Sequence, residues 1–256
     1  MTPEQVKADL RAFYDREARR LSAGLAPVVS VSRNPYTDIS PALDRFRRRK
    51  VSTALRLAEY ECGANILEIG TGLGQYAVAL ASLGFHVMAV DLSPRIVEVA
   101  AAYAKRLEIA RVQFREADAE NLEIFTDRSF DGVVSFSTFR YVPNLLEALS
   151  EVRRVTRPGG RVVLDFPNRY CPWFRVLKNH FGVPDHIHDR VFAARTLIRT
   201  MEEAGFVEVR VKKILFTHYS FPPRFARLYD AIDAVCERLP LVRECAAILM
   251  CSATAP

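Results

Sequence analysis

Apolar residues Val6, Leu10, Phe13, Tyr14 and Leu21 fall near helical spacing among charged neighbours, a pattern that predicts an amphipathic helix over residues 6–21. Residues 27–41 carry no such period. Asn34-Pro35 and Ser40-Pro41 mark a turn and a helix start there, and a second helix is expected over 42–59. The rhythm then changes. Apolar runs at 65–69, 86–91, 112–116, 130–136 and 161–166 predict strands, with helices at 75–83, 94–107 and 145–156 between them. Alternation at this interval requires right-handed crossovers and a parallel sheet covered by helices on both faces. After Pro167 an irregular stretch runs through 168–190, then a helix at 194–204 ending on Gly205 and a strand at 207–214. Phe225, Leu228, Tyr229, Ile232, Val235, Cys236 and Leu239 form one helical stripe, with Arg224, Arg227, Asp230, Glu237 and Arg238 on the other side. Such a stripe predicts a helix whose apolar face packs on the core. Residues 246–253 read as a last strand.

Half of the 256 residues are apolar and 26% are charged, the balance of a globular protein with a sizeable core, and the length suits one large domain with additions. Glu4, Asp9, Asp15 and Glu17 interrupt the N-terminal segment, so no secretory signal is read there. The apolar run at 246–251 is too short to cross a bilayer, and a cytoplasmic protein is expected. Cys62, Cys171, Cys236, Cys245 and Cys251 include no Cys-x-x-Cys pair, which predicts buried thiols rather than a zinc site or a disulfide framework. The net charge of +6 comes from arginines scattered along the chain and one dense cluster, Arg45-Phe46-Arg47-Arg48-Arg49-Lys50, read as a solvated helix face. Weak attraction to anionic substrates or a membrane surface fits that excess as well as nucleic acid does.

The chemistry concentrates in residues 66–74, Ile-Leu-Glu-Ile-Gly-Thr-Gly-Leu-Gly, and in the apolar run that ends at Asp91. These join a buried strand, a glycine turn, a helix and a second strand finishing on a carboxylate. The turn presents bare backbone to a ligand while the carboxylate stands at the tip of the neighbouring strand, both at the edge where open α/β sheets bind ligands. An adenosine-bearing cofactor is implied. A dinucleotide fingerprint places its third glycine where this chain has Gln75, and no Gly-Lys-Ser/Thr is present to build a phosphate-cradling loop.

Further segments follow in order: Val87-Met-Ala-Val-Asp91-Leu92-Ser93, then Glu116-Ala-Asp118-Ala119-Glu120-Asn121-Leu122, then Ser129-Phe130-Asp131-Gly-Val-Val-Ser135. Arg157-Pro158-Gly159-Gly160 precedes the fifth strand, and Glu-Glu-Ala-Gly-Phe at 202–206 leads into the sixth. The series resembles the class I S-adenosylmethionine-dependent methyltransferases, in their quinone- and small-molecule-type branch, over residues 55–215. The resemblance implies a three-layer α/β/α Rossmann-like fold with a seven-stranded sheet whose last strand is antiparallel, under a helical cap. It implies S-adenosyl-L-methionine as cofactor, held by Glu68, Gly70, Thr71, Gly72, Gly74, Asp91, Leu92, Asp118, Ala119 and Ser135. Within that set Glu68 would steady the turn and meet the cofactor's ammonium, Asp91 would accept from the ribose hydroxyls, and Asp118 from the adenine amino group. The Ala119 amide would face the ring, and backbone near Ser135 the methionyl end. The competing readings are a nicotinamide-dependent oxidoreductase of the same sheet type and a noncatalytic binder of S-adenosylmethionine.

Methyl transfer from a sulfonium is an in-line displacement, for which a protein mainly supplies alignment and exclusion of water. A hydroxyl acceptor also gains from a base within hydrogen-bond reach. Where related enzymes often carry a histidine after the fourth strand, this chain reads Arg140-Tyr141-Val142. The base candidates are therefore His186 and His188, in Asp185-His186-Ile187-His188-Asp189; no metal site is expected, because a second cluster of ligands is missing. The expected organisation is a helical cap at 1–60, a cofactor-binding core at 61–215 with a substrate-side insertion at 168–192, and a helical insertion with the final strand at 216–256. Tyr14 and Tyr36 lie on segments able to close over the cofactor, but packing is the reading preferred for both. The first helix and the 225–239 stripe are expected to roof a pocket lined by Phe174, Phe181, Tyr219 and Phe221. The partner expected is a small-molecule or lipid-like acceptor, not nucleic acid, with no membrane span and peripheral contact left open.

Overall fold

The computed structural model describes residues 1–24, 41–172, 187–217 and 225–256. Its elements are α1 (Pro3–Gly24), α2 (Pro41–Ala58), β1 (Asn65–Ile69), α3 (Gln75–Ser82), β2 (His86–Asp91), α4 (Pro94–Arg106), β3 (Val112–Glu116) and β4 (Phe130–Ser135). They continue with α5 (Leu145–Val155), β5 (Thr156–Pro167), α6 (Ala194–Glu203), β6 (Val207–Ile214), α7 (Ala226–Cys236), a 3₁₀ turn (Val242–Cys245) and β7 (Ile248–Thr254).

One seven-stranded sheet runs in the order β3-β2-β1-β4-β5-β7-β6. The pairs from β3 to β5 are parallel, and β7 is antiparallel to both β5 and β6. The three-layer fold with an antiparallel last strand is therefore present. Central strands are buried almost throughout, whereas the edge strands β3 and β6 keep exposed positions. Alternation along each strand divides the core in two. Leu67, Val133 and Leu164 join Leu149 of α5 and Leu197 of α6 on one face, and Ile66, Val134 and Val163 join Ala54 of α2 and Leu80 of α3 on the other.

Three expectations need correction. The fifth strand begins at Thr156 rather than 161, pairing with Phe130 before a register shift. Pro158 biases Arg157 toward extended backbone, which ends α5 and starts the strand early. The thiols are mixed in setting: Cys171 and Cys251 are buried, Cys62 and Cys245 exposed. The basic run on α2 is not a solvated face. Arg45 binds Asp230 and Asp233, Arg49 binds Glu237, and Lys50 is completely buried against Asp165.

None of the described helices is long and apolar enough to cross a membrane.

Candidate active site

β1 delivers the chain to the carboxyl edge of the sheet, where Gly70, Gly72 and Gly74 all take left-handed backbone. Gly70 is required by space as well as by φ, since a Cβ there would sit 2.0 Å from Thr138 Oγ1. At Gly72 a Cβ would meet nothing within 4 Å, so the missing side chain leaves open room above the turn. The Gly70 and Thr71 amides both donate to the Val90 carbonyl, at 2.7 and 2.9 Å, fastening the turn to β2. Asp91 completes the clasp. Its Oδ2 accepts from the Gly72 amide at 2.9 Å and its Oδ1 from the Ser93 amide at 3.1 Å. Ser93 in turn caps α4 by accepting from the Ile96 amide, with Pro94 beginning the helix. Burial pushes the Asp91 pKa up, opposed by these backbone donors.

Glu68 lies beneath the turn, wholly buried, and accepts from the Thr71 hydroxyl at 2.8 Å. Its Oε1 has no hydrogen-bond partner among the described residues. Burial pushes its pKa up to about 8, with the Thr71 hydrogen bond acting the other way. A buried carboxyl with an oxygen unpaired within the protein, next to the turn that lines the cavity, can accept a donor from a ligand.

A cavity of about 230 Å³ opens above this turn. Of the expected cofactor residues, Gly70, Gly72, Asp91, Leu92, Asp118 and Ala119 line it. Glu68, Thr71, Gly74 and Ser135 are not among its lining. Ser135 is buried and donates to the Ile69 carbonyl at 2.7 Å, bracing β1 against β4. A Cβ on Gly74 would touch Ala100 and Phe114, so that glycine seats the turn on α4 and β3.

The first helix contributes to the cavity wall. Lys7, Leu10 and Tyr14 line the cavity from α1, opposite Ser137, Thr138 and Tyr141 from the loop after β4. Arg11 binds the Leu92 carbonyl at 3.0 Å and the Glu116 carboxylate, and Ser93 donates to Asp15 at 2.5 Å, so α1 is tied to the ends of β2 and β3. Tyr14 and Tyr141 meet edge to face with centroids 6.3 Å apart, and burial raises both phenol pKa values. The other proposed roof member, α7, contributes none of the cavity's described lining. Tyr36, Phe174, Phe181, Tyr219 and Phe221, and the candidate base His186, lie outside the described residues.

His188 does not line the cavity. It sits in left-handed backbone with Nε2 3.2 Å from Asp9 Oδ2 on α1. Its neighbour Asp189 forms a two-pronged pair with Arg140, at the point where the family resemblance led to histidine. Arg140 thus anchors residues 187–190 to the loop after β4.

One cluster escaped the sequence reading. Lys50 Nζ lies 2.5 Å from Asp165 Oδ2 and donates to Ser137 Oγ at 2.7 Å, while the Ser137 amide donates to Asp165 Oδ1. Burial opposes the Lys50 charge, but Asp165 and Tyr76 together outweigh it and raise the lysine's pKa. Because Ser137 Oγ accepts from Lys50, its own proton is free to point elsewhere, and Ser137 lines the cavity. A signal did exist: Phe46, Lys50 and Ala54 recur at four-residue intervals, which puts Lys50 on the inward face of α2.

Residues 67–164 match the family described as "Methyltransferase domain". The demethylmenaquinone methyltransferase of Thermus thermophilus is 33% identical over 195 residues, covering 67% of this chain and 85% of that protein. The ubiquinone biosynthesis O-methyltransferase of Xanthomonas oryzae pv. oryzae is 33% identical over 128 residues, covering 50% of this chain and 52% of that protein. The chain spans about half to three-fifths of the length of several curated relatives it matches. Among solved structures, a Thermotoga maritima S-adenosylmethionine-dependent methyltransferase, possibly a histamine N-methyltransferase, superposes with a TM-score of 0.59 at 23% identity, covering 82% of this chain and 91% of that one. The fold and the site define a class I, Rossmann-like methyltransferase architecture. The chain belongs to the S-adenosylmethionine-dependent methyltransferases, among relatives of the quinone-methylating type.

Proposed function

We propose that this chain moves a methyl group from S-adenosylmethionine to a small, quinone-like acceptor. The carrying observation is the cavity above the Gly70–Gly74 turn, with the carboxylates of Asp91 and Asp118 on its wall and α1 closed over it. The residues present fit the cofactor: open room at Gly72, two wall carboxylates, and the idle oxygen of Glu68 below. Asp91 and Asp118 would bind its ribose and adenine, Glu68 its ammonium end, and the Gly70–Gly72 backbone would lie along it. Its sulfonium supplies an activated methyl group.

The chain's own part is alignment and dryness. Leu10, Tyr14, Phe136 and Tyr141 make the cavity wall largely apolar, which excludes water and suits an aromatic acceptor. Ser137, oriented by Lys50, has a hydroxyl proton available to an acceptor oxygen. The relatives' names, demethylmenaquinone and ubiquinone-pathway methyltransferases, support a quinone-type acceptor. The nicotinamide alternative is not favoured: α3 opens with Gln75 where that site needs glycine.

The test is calorimetry with S-adenosylhomocysteine on wild type and Asp91→Ala, followed by turnover on a demethylated naphthoquinol and a hydroxylated benzoquinol with methyl-labelled cofactor. Binding to wild type, weakened by roughly 1.5–3 kcal/mol in the variant, with labelled quinol as product, supports the reading. Absence of binding, or binding without label transfer to any quinol, overturns it.

A further inference from the structure

α7 is an amphipathic helix turned inside out. Its acidic residues face the protein: Asp233 accepts from the Phe216 and Thr217 amides at 2.8 and 3.1 Å and binds Arg45, while Glu237 binds Arg49 at 2.7 Å. At 3.6 residues per turn, Leu228, Ile232 and Val235 lie on the opposite side. They are exposed, at 54, 37 and 57%, and the surface continues through Leu239 to Leu241, at 86%, and Val242. The expectation of a helix packed by its apolar stripe on the core is thereby corrected. The α2 arginines capture the acidic face, and the stripe is left to solvent.

The charge around this stripe is one-sided. Arg227, Arg238 and Arg243 are exposed. The nearby carboxylates are paired with protein cations: Asp230 and Asp233 share Arg45, Glu237 binds Arg49, and Glu244 binds Lys213 and lies 3.9 Å from Arg243, which leaves Arg227 and Arg238 as the cations beside the stripe. The location also matters. β5 and β6 are both antiparallel to β7, so β6 runs with the parallel strands and ends at the same sheet edge as the cofactor turn. The amides bound by Asp233 and Glu237 belong to residues 215–217, just past that end.

We infer that the Leu228–Val242 surface docks the protein on an anionic lipid bilayer. Apolar side chains enter the interface while the flanking arginines meet acidic headgroups. A second copy of the chain fits less well, since face-to-face pairing would bring two net-positive rims together. The purpose of docking, though not the binding itself, rests on the lipid-soluble acceptor proposed above: the cavity and the membrane face share one edge.

The experiment is vesicle co-sedimentation of the full chain with phosphatidylcholine alone and with phosphatidylcholine mixed with phosphatidylglycerol, without acceptor or cofactor. Wild type should pellet with the anionic vesicles, less with neutral ones, and be released by added salt. Ile232→Glu with Val235→Glu should weaken partitioning roughly a hundredfold or more, the scale of losing two buried aliphatic side chains. The variant's melting temperature and S-adenosylhomocysteine affinity should match wild type, since both residues face outward. Failure of wild type to pellet, or pelleting unaffected by the two substitutions, overturns the inference. So does light scattering that shows a dimer dissociated by them. Because no turnover is read, failure here is separable from failure of the methyl-transfer proposal.

Discussion

Lys7 of α1 places its ammonium 2.7 Å from Asp118 and 2.7 Å from Glu120, so the roof of the cavity is bolted to the carboxylate proposed to hold adenine. Burial alone would lower the Lys7 pKa; its two carboxylate partners outweigh this and raise it. Glu120 is itself fixed by the Asn144 amide and side chain, at 2.7 and 3.0 Å, which ties the roof to the start of α5.

Lys7→Met should therefore loosen α1 more than it unfolds the protein. Amide exchange across residues 3–24 should quicken, and bound S-adenosylhomocysteine should leave several-fold faster in stopped-flow displacement, with the global melting temperature changed little. Unaltered exchange and release in Lys7→Met would mean that Arg11 and Asp15 hold the helix unaided.

The glycine turn predicts two different failures. Gly70→Ala drives a methyl group into Thr138 and should lower the melting temperature markedly. Gly72→Val meets open space in the empty protein and carries mainly the left-handed backbone cost, roughly 1–2 kcal/mol. It should stay folded by circular dichroism yet lose cofactor binding in calorimetry. Normal binding by Gly72→Val would show that the ligand does not lie against the turn.

Glu68 gives a pH signature. Its folded pKa, about 8, lies above the ordinary 4.5, so across that interval the folded protein holds a proton that the unfolded chain has released. The associated stability is complete below 4.5 and is lost as pH rises through 8. Glu68→Gln, neutral throughout, should gain on wild type between those limits, by on the order of a few kcal/mol at alkaline pH. A cofactor ammonium favours the carboxylate, so binding near neutrality should release a proton in wild type and none from this group in Glu68→Gln. Calorimetry in buffers of different ionisation enthalpy measures the difference; equal proton release in both proteins would place the ammonium elsewhere.

Lys50 and Asp165 are both buried and bonded to each other and to Ser137. Lys50→Met strands the carboxylate and should cost roughly 3–5 kcal/mol, seen as a lower urea midpoint. Adding Asp165→Asn should restore much of it, while the disturbed Ser137 keeps turnover low. A Lys50→Met protein as stable as wild type would show that the pair is not ionised.

Strand and helix order, and the glycine turn with Asp91 at the next strand tip, were legible along the chain. β1, β2, β3 and β6 begin and end where the apolar runs do. Runs of buried side chains and left-handed glycines are local properties: they depend on neighbours a few residues away. The antiparallel ending of the sheet came from family resemblance, because a strand's period is the same in either direction.

Tertiary structure alone decided the rest. The roles of Lys7, Arg140 and Lys50 arise from partners 111, 49 and 115 residues away, Asp118, Asp189 and Asp165, and no local pattern specifies them. The direction of α7 is the clearest case. Its spacing of apolar and charged residues reads the same whether the stripe faces inward or outward. Arg45 and Arg49, nearly 190 residues earlier in the chain, bind Asp233 and Glu237 and thereby turn the helix. Sequence period determines that a helix has two faces; only the groups brought against it determine which face is buried.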